Sequence, residues 1–287
     1  MPESVEELIG LLELRQIDES VFRGRNDSDH ISVQRVFGGQ VLAQALMAGY
    51  ASVPDERVAH SLGAYFLRSG SLGQPIDYSV EAVRDGGSFS TRRIVARQGA
   101  REIFSMVASF HRPEPGLTHA DQAPADVPAP EDCPPLAEVL GARTRREVGA
   151  WRREWGVLDV RFASDTSAVT AVHPDAEMKV WVRAASVLPA DQRLHQAVLA
   201  YASDLTLLAV STVPHPVTFG GPGLQVASID HSMWFHRPAR ADEWLLYDQV
   251  SPSASAGLGF SFGRMFAGGT LVASCAQEGL IRLTQPN

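Results

Sequence analysis

Hydrophobic and polar positions along this chain change period twice, in the same order each time. In the first half a Ser4…Glu7 capping box opens a short helix, and Leu12–Arg15 and Ser20–Arg23 read as strands. Val36–Gly49, which runs Val-Phe-Gly-Gly-Gln-Val-Leu-Ala-Gln-Ala-Leu-Met-Ala-Gly, is apolar on nearly every side and is entered through glycines, so it predicts a buried helix. Four strands are expected next, over His60–Arg68, Ile76–Val83, Phe89–Arg97 and Glu102–His111. In the second half Leu158–Phe162 and Met178–Val182 alternate as half-buried strands do. The apolar run Ala197–Val210 reads as a second helix, and strands are expected over Val226–Phe235, Trp244–Val250, Gly259–Phe266 and Thr270–Arg282.

Between the two series, Pro113–Pro135 holds 7 of the 18 prolines, with Glu, Asp and Ala among them. Such a stretch cannot build a core and reads as a linker. The expected division is therefore residues 1–112, a linker at 113–150, and residues 151–287. Each half ends in a hairpin with a glycine turn, Gln98-Gly-Ala in one and Ala267-Gly-Gly in the other. The markers His60-Ser-Leu and His231-Ser-Met occupy like places in the two series. This is an α+β pattern: two antiparallel sheets, each wrapped around a central helix and joined by the Pro-rich linker.

Charge and composition exclude more than they select. A 45% hydrophobic, 20% charged chain of 287 residues has a globular composition and room for one large core or two ordinary domains. A net charge of −8, with no concentrated Lys/Arg face, argues against nucleic acid. No stretch reads as a membrane span, and Pro2–Glu7 lacks the basic and apolar parts of a signal peptide. Cys133 and Cys275 sit in unlike contexts, so a reducing, cytoplasmic setting is expected. There is no Cys/His metal spacing and no Gly-x-Ser-x-Gly elbow for a serine nucleophile.

One residue breaks the apolar pattern. Asp204 is the lone formal charge between Arg193 and Asp230. On a continuous helix its neighbours would be Ala200, Tyr201, Leu207 and Leu208. Burying an unpaired carboxylate costs several kcal/mol, so the position calls for a structural partner or a reaction.

The blocks Val36-Phe-Gly-Gly-Gln-Val-Leu-Ala-Gln-Ala45, His60-Ser…Tyr-Phe-Leu-Arg68, Ala227-Ser-Ile-Asp-His-Ser-Met-Trp-Phe-His-Arg-Pro238 and Ala276-Gln-Glu-Gly279 resemble the type II acyl-CoA thioesterase family over nearly the whole chain. The resemblance implies a double hotdog fold, an acyl-CoA substrate and no separate cofactor. It also implies a homodimer or homotetramer, and hydrolysis by a water held on an Asp, a Thr or Ser hydroxyl and a Gln. The matching positions are Asp204, Ser228 and Gln277. Ser228 departs from the Thr usual in the family: the hydroxyl is kept, but the methyl that restricts its rotamer is lost. Laying the first half over the second puts Ser109 opposite Gln277 and Ala48 opposite Asp204, so one trio per chain is expected.

Other candidates have two readings each. Gly38 and Gly39 offer either backbone N–H groups for an oxyanion at a helix start or close packing of helix and sheet. Arg68 and Arg237 either meet ligand phosphates or solvate strand ends. His231, with His60 as its counterpart, is a substrate contact or a fold-bearing residue; adjacent Asp230 points to the opposite face of a strand and cannot relay to it. The competing functions are a non-catalytic acyl-CoA binder and a hotdog enoyl-CoA hydratase, which needs an Asp and a His converging on the substrate.

Overall fold

The computed structural model describes residues 2–26, 35–143, 147–164 and 175–284. Alternation of buried and exposed side chains builds its strands. In the first half α1 (Val5–Leu12) starts at Ser4, whose side chain accepts from the Glu7 N–H. It leads into β1 (Arg15–Asp18) and β2 (Val21–Gly24), then α2 (Gly38–Tyr50), β3 (Val58–Phe66), β4 (Ile76–Asp85), β5 (Phe89–Gln98) and β6 (Arg101–His111). The second half comprises α3 (Leu136–Arg143), α4 (Val148–Trp155), β7 (Leu158–Phe162), β8 (Glu177–Ala184), α5 (Gln192–Ser203), β9 (Leu224–Ser228), β10 (Asp230–Phe235), β11 (Leu245–Ser255), β12 (Leu258–Ala267) and β13 (Thr270–Leu283).

The two sheets expected from the sequence are one. The strands run β1-β2-β4-β5-β6-β3-β10-β13-β12-β11-β8-β7, with β9 also on β13. The halves meet where β3 and β10 pair antiparallel, from Asp230 opposite Tyr65 to Trp234 opposite Ser61. Left apart, each half would end in an unpaired row of backbone donors and acceptors. Pairing the two edges removes both.

Helices α2 and α5 pack against each other and against the inner face of this sheet. The apolar surround predicted for α2 is observed, with Leu42, Ala43, Ala45, Leu46 and Ala48 fully buried. The Gly turns fall where expected, Gly99 at φ 59° and Gly268 and Gly269 at φ 53° and 83°, a region open to glycine at no steric cost.

Residues 113–135 make no core but are tied to the second half. Ala123 N–H donates to Gly269 O, Trp181 Nε1 to Pro128 O and Phe162 N–H to Pro134 O. Helix α3 falls in the segment read from sequence as linker, and α4 begins at its end; α3 buries Leu136 and Val139, too few apolar positions to give a clear helical period.

Candidate active site

The second helix ends earlier than its apolar run. Asp191 caps α5 by accepting from Arg193 N–H, and the helix stops at Ser203. Asp204 is its C-cap, at φ −86° and ψ −2°, so the continuous helix expected through Val210 does not form. The chain turns and tightens into a 3-10 turn over Leu208–Thr212 that lies on the sheet. Glycines make that approach feasible: a Cβ on Gly279 would stand 2.5 Å from Leu208, and one on Gly259 would overlap Ser211. Ala200, Tyr201, Leu207 and Leu208 are all buried nonetheless, so the apolar surround expected of Asp204 survives the change of geometry.

The structure brings Asp204, Ser228 and Gln277 together. Ser228 Oγ donates to Asp204 Oδ1 at 3.0 Å and Gln277 Nε2 to the same oxygen at 2.5 Å. Gln277 is fully buried and Asp204 is 9 % exposed. Burial raises the Asp204 carboxyl to about 6, against the opposing pull of Gln277, Ser228, the Gly39 backbone N–H and the Arg35 guanidinium. An acid held near 6 is ionised at neutral pH yet basic enough to take a proton from water.

A bulge aims Ser228. The sequence predicted one strand over Val226–Phe235, but it breaks at Ile229, whose N–H donates to Glu278 O while its carbonyl accepts from Phe66 N–H. On one side of the break Ser228 opposes Gly279; on the other Ser232 opposes Ala276. In an unbroken strand Ser228 and Ser232 would share a face. The extra residue turns Ser228 to the inner face with Gln277 and Gly279, an action typical of bulges beside functional groups.

Gly38 and Gly39 open α2 with no side-chain cap at Phe37. A Cβ on Gly38 would stand 2.5 Å from Asp204 Oδ2, and one on Gly39 would overlap the Tyr201 carbonyl. Both glycines are therefore where acid and helix pack closely, and the Gly39 N–H also binds the acid. Arg35, whose Nη2 donates to Val226 O at 2.8 Å, carried no signal in the sequence because its charge meets Asp204 only through the fold.

Among the described residues the remaining candidates make no hydrogen bond to the trio. His231 is fully buried; its Nε2 meets Ser203 Oγ at 2.9 Å, and burial lowers it to about 4. Arg68 Nη1 donates to Glu102 O. Arg237 donates to Leu271 O and His119 O, holding the Pro-rich segment against the sheet. His60 does not share the setting of His231. A bulge between Ala59 and Ser61 turns it away from the helices, where it meets Ser109 Oγ at 2.8 Å.

The first half holds aromatics where the second holds the acid and amide. Ser61 opposes Ser109 while Ser232 opposes Ala276, so Phe110, rather than Ser109, occupies the place of Gln277. Asp204 ends α5 and meets the first turn of α2. Tyr50 likewise ends α2 and meets the start of α5, with the Arg193 guanidinium 5.1 Å from its ring centre and its hydroxyl on Gln196. Tyr50, rather than Ala48, is thus the counterpart of Asp204. The two rings pack edge to face at 5.1 Å.

A long antiparallel sheet with paired helices on one face is a hotdog-type architecture, and the buried carboxylate flanked by a hydroxyl and an amide is its candidate active site. A family model described as "Acyl-CoA thioesterase" matches residues 154–280, and one described as "Acyl-CoA thioesterase N-terminal domain" matches residues 27–111. Acyl-CoA thioesterase 2 of Haemophilus influenzae is 36% identical over 99% of this chain and 100% of its own length. Acyl-coenzyme A thioesterase 8 of Mus musculus is 36% identical over 95% of this chain and 88% of its own. The crystal structure of the acyl-CoA thioesterase II TesB2 from Mycobacterium marinum superposes with a TM-score of 0.81 at 41% identity, covering 98% of this chain and 99% of that one. The chain belongs to the type II acyl-CoA thioesterase family and is a thioesterase.

Proposed function

We propose that the chain is a double hotdog, with units at residues 1–112 and 151–287 built around α2 and α5, and that it hydrolyses fatty acyl-CoA by direct attack of water at Asp204. The water gives a proton to the Asp204 carboxylate while Ser228 and Gln277 hold it in place. Its oxygen attacks the thioester carbonyl, the oxyanion collapses, the C–S bond breaks, and fatty acid and CoA thiolate leave. Thiolate is a good leaving group, so no strong acid is needed at that step. At the start of α2 the Gly39 N–H is engaged with the acid, and Gly38, beside it, offers its backbone N–H to the oxyanion. The observation that carries this reading is the convergence of Ser228 and Gln277 on one oxygen of a buried acid.

A hydratase is disfavoured by the imidazoles. His231 is engaged with Ser203, and His195 sits near the far end of α5 with its Nδ1 accepting from Ala241 N–H. We place the enzyme in the cytoplasm as a homodimer or homotetramer, in keeping with Cys133 and Cys275 being unpaired; light scattering checks the assembly. The test of function is release of free thiol from acyl-CoAs of increasing chain length by the parent and by Asp204→Asn. Hydrolysis at the parent rate by the variant overturns the mechanism.

A further inference from the structure

The sheet beneath the end of α5 carries buried polar groups that this mechanism leaves unused. Gln249 of β11 and Ser261 of β12 are fully buried, and Thr206 is 5 % exposed. Register sets their faces. Ser261 stands directly opposite Gln277, which puts their Cβ atoms about 5 Å apart on one face. Gln249 opposes Gly263, two residues along β12 from Ser261, so it shares that face as a diagonal neighbour within reach of a long side chain.

Donors and acceptors along this row run in one direction. Thr206 Oγ1 donates to Gln249 Oε1 at 2.8 Å, leaving Gln249 Nε2 as a donor. At the other end Gln277 Nε2 donates to Asp204, leaving Gln277 Oε1 as an acceptor. Gln249 Nε2, Ser261 Oγ and Gln277 Oε1 are buried without a hydrogen-bond partner among the described residues. An amide donor, a hydroxyl that both donates and accepts, and an amide acceptor thus lie unsatisfied on three adjacent strands. Buried polar atoms are nearly always paired with protein or with ordered water, and a buried water is held by about three of them.

We propose that Gln249 and Ser261 are positioning residues for the hydrolytic site: with ordered water they complete a one-way hydrogen-bond chain from Thr206 through Gln249 and Ser261 to Gln277, which holds the Gln277 N–H toward Asp204. A flipped Gln277 would set its carbonyl oxygen against the carboxylate, and the chain excludes that flip by requiring an acceptor at its end. Losing the chain weakens the donor that favours ionised Asp204, so the acid limb of the rate profile moves to higher pH. The inference rests on Asp204 acting as the base.

Other groups facing Asp204 do not produce this shift. They are Arg35, Ser228 of β9, Tyr247 of β11, Cys275 of β13 and, through Ser203, His231 of β10. Burial pushes the Tyr247 phenol well above its ordinary range, the Cys275 thiol up to about 12 and His231 down to about 4. None of these three changes charge near pH 6.

The experiment measures thiol release from a saturated acyl-CoA between pH 4.5 and 8.5 by the full chain and by Ser261→Ala, Gln249→Met and Ser261→Thr. Ser261→Ala and Gln249→Met are expected to lose about tenfold in kcat with KM little changed, and to move the acid limb up by about half a pH unit. Ser261→Thr keeps the hydroxyl and restores both. Parent kcat and an unmoved limb in both variants overturn the proposal, as does a loss of kcat with the limb in place. Asp204→Asn run alongside separates the two readings: if it hydrolyses at the parent rate the mechanism fails, and if it is inactive while the other variants match the parent only the chain fails. A crystal structure of the parent needs no variant. Solvent bonded to Gln249 Nε2, Ser261 Oγ and Gln277 Oε1 is expected, and apolar atoms filling that space refute the chain.

Discussion

Asp204, at the C-terminal end of α5, accepts a hydrogen bond from the backbone N–H of Gly39 in the first turn of α2. One carboxylate thereby joins the helices of both halves. Burial and the negative end of its own helix disfavour its charge, while the positive end of the other helix and two side-chain donors favour it. The outcome is an acid near 6, within the range that a general base working at neutral pH requires.

The pH dependence follows. kcat/KM is expected to rise about tenfold per pH unit below pH 6 and to level off above about pH 7, as Asp204 ionises. Asp204→Asn should lose at least about 100-fold in kcat and flatten that limb. A thiol-release profile of both proteins decides it.

Stability should move the opposite way. A carboxyl raised to about 6 from 3.8 stays protonated in the native state over a pH range where the unfolded chain has released its proton. Native stability therefore falls as pH rises through that window. Between pH 4.5 and 7.5 Asp204→Asn should gain about 2 kcal/mol relative to the parent. Urea midpoints at the two pH values measure it; a gain that shrinks with pH contradicts the shift.

At the two glycines the sign is diagnostic. Glycine to alanine inside an unobstructed helix stabilises by about 1 kcal/mol. Here an added methyl on Gly38 meets Asp204 and the Phe66 ring, and one on Gly39 meets Tyr201 and Phe37. Gly38→Ala and Gly39→Ala should each lose about 1–3 kcal/mol, and Gly38→Ala should also lose about tenfold or more in kcat.

Ser228→Thr keeps the hydroxyl that bonds Asp204 and should stay within about threefold of parent kcat. Ser228→Ala should fall about 10- to 100-fold. Side-by-side kinetics on one acyl-CoA separate hydroxyl from methyl.

The first-half counterpart should matter for folding alone. Tyr50 OH accepts from Ala59 N–H at 2.8 Å and bonds Gln196. Tyr50→Phe leaves both buried groups short of a partner and should cost about 1–3 kcal/mol, with kcat unchanged. A fall in kcat comparable to that of Ser228→Ala would mean a second active centre.

Period alone determined most of the elements. Alternation located the long strands, such as Ile76–Asp85 and Leu258–Ala267, and an apolar run located α2. Short apolar segments and a lone acid among them marked Asp204, because a charge without nearby partners in sequence is costly wherever it is buried. Ser228 and Gln277 were legible only through family resemblance. In isolation a strand serine and a strand amide look like ordinary pleated-sheet residues.

Long-range geometry decided the rest. The union of two sheets through β3 and β10, the early end of α5 and the bulge at Ile229 all arise from contacts between residues far apart in the chain. So does the placement of Tyr50 and Phe110, which a helix-by-helix alignment put one or two positions away. Local pattern encodes which face of an element is apolar. It does not encode the one-residue offsets that choose which side chain faces Asp204, since those are set by pairing and packing across the whole sheet.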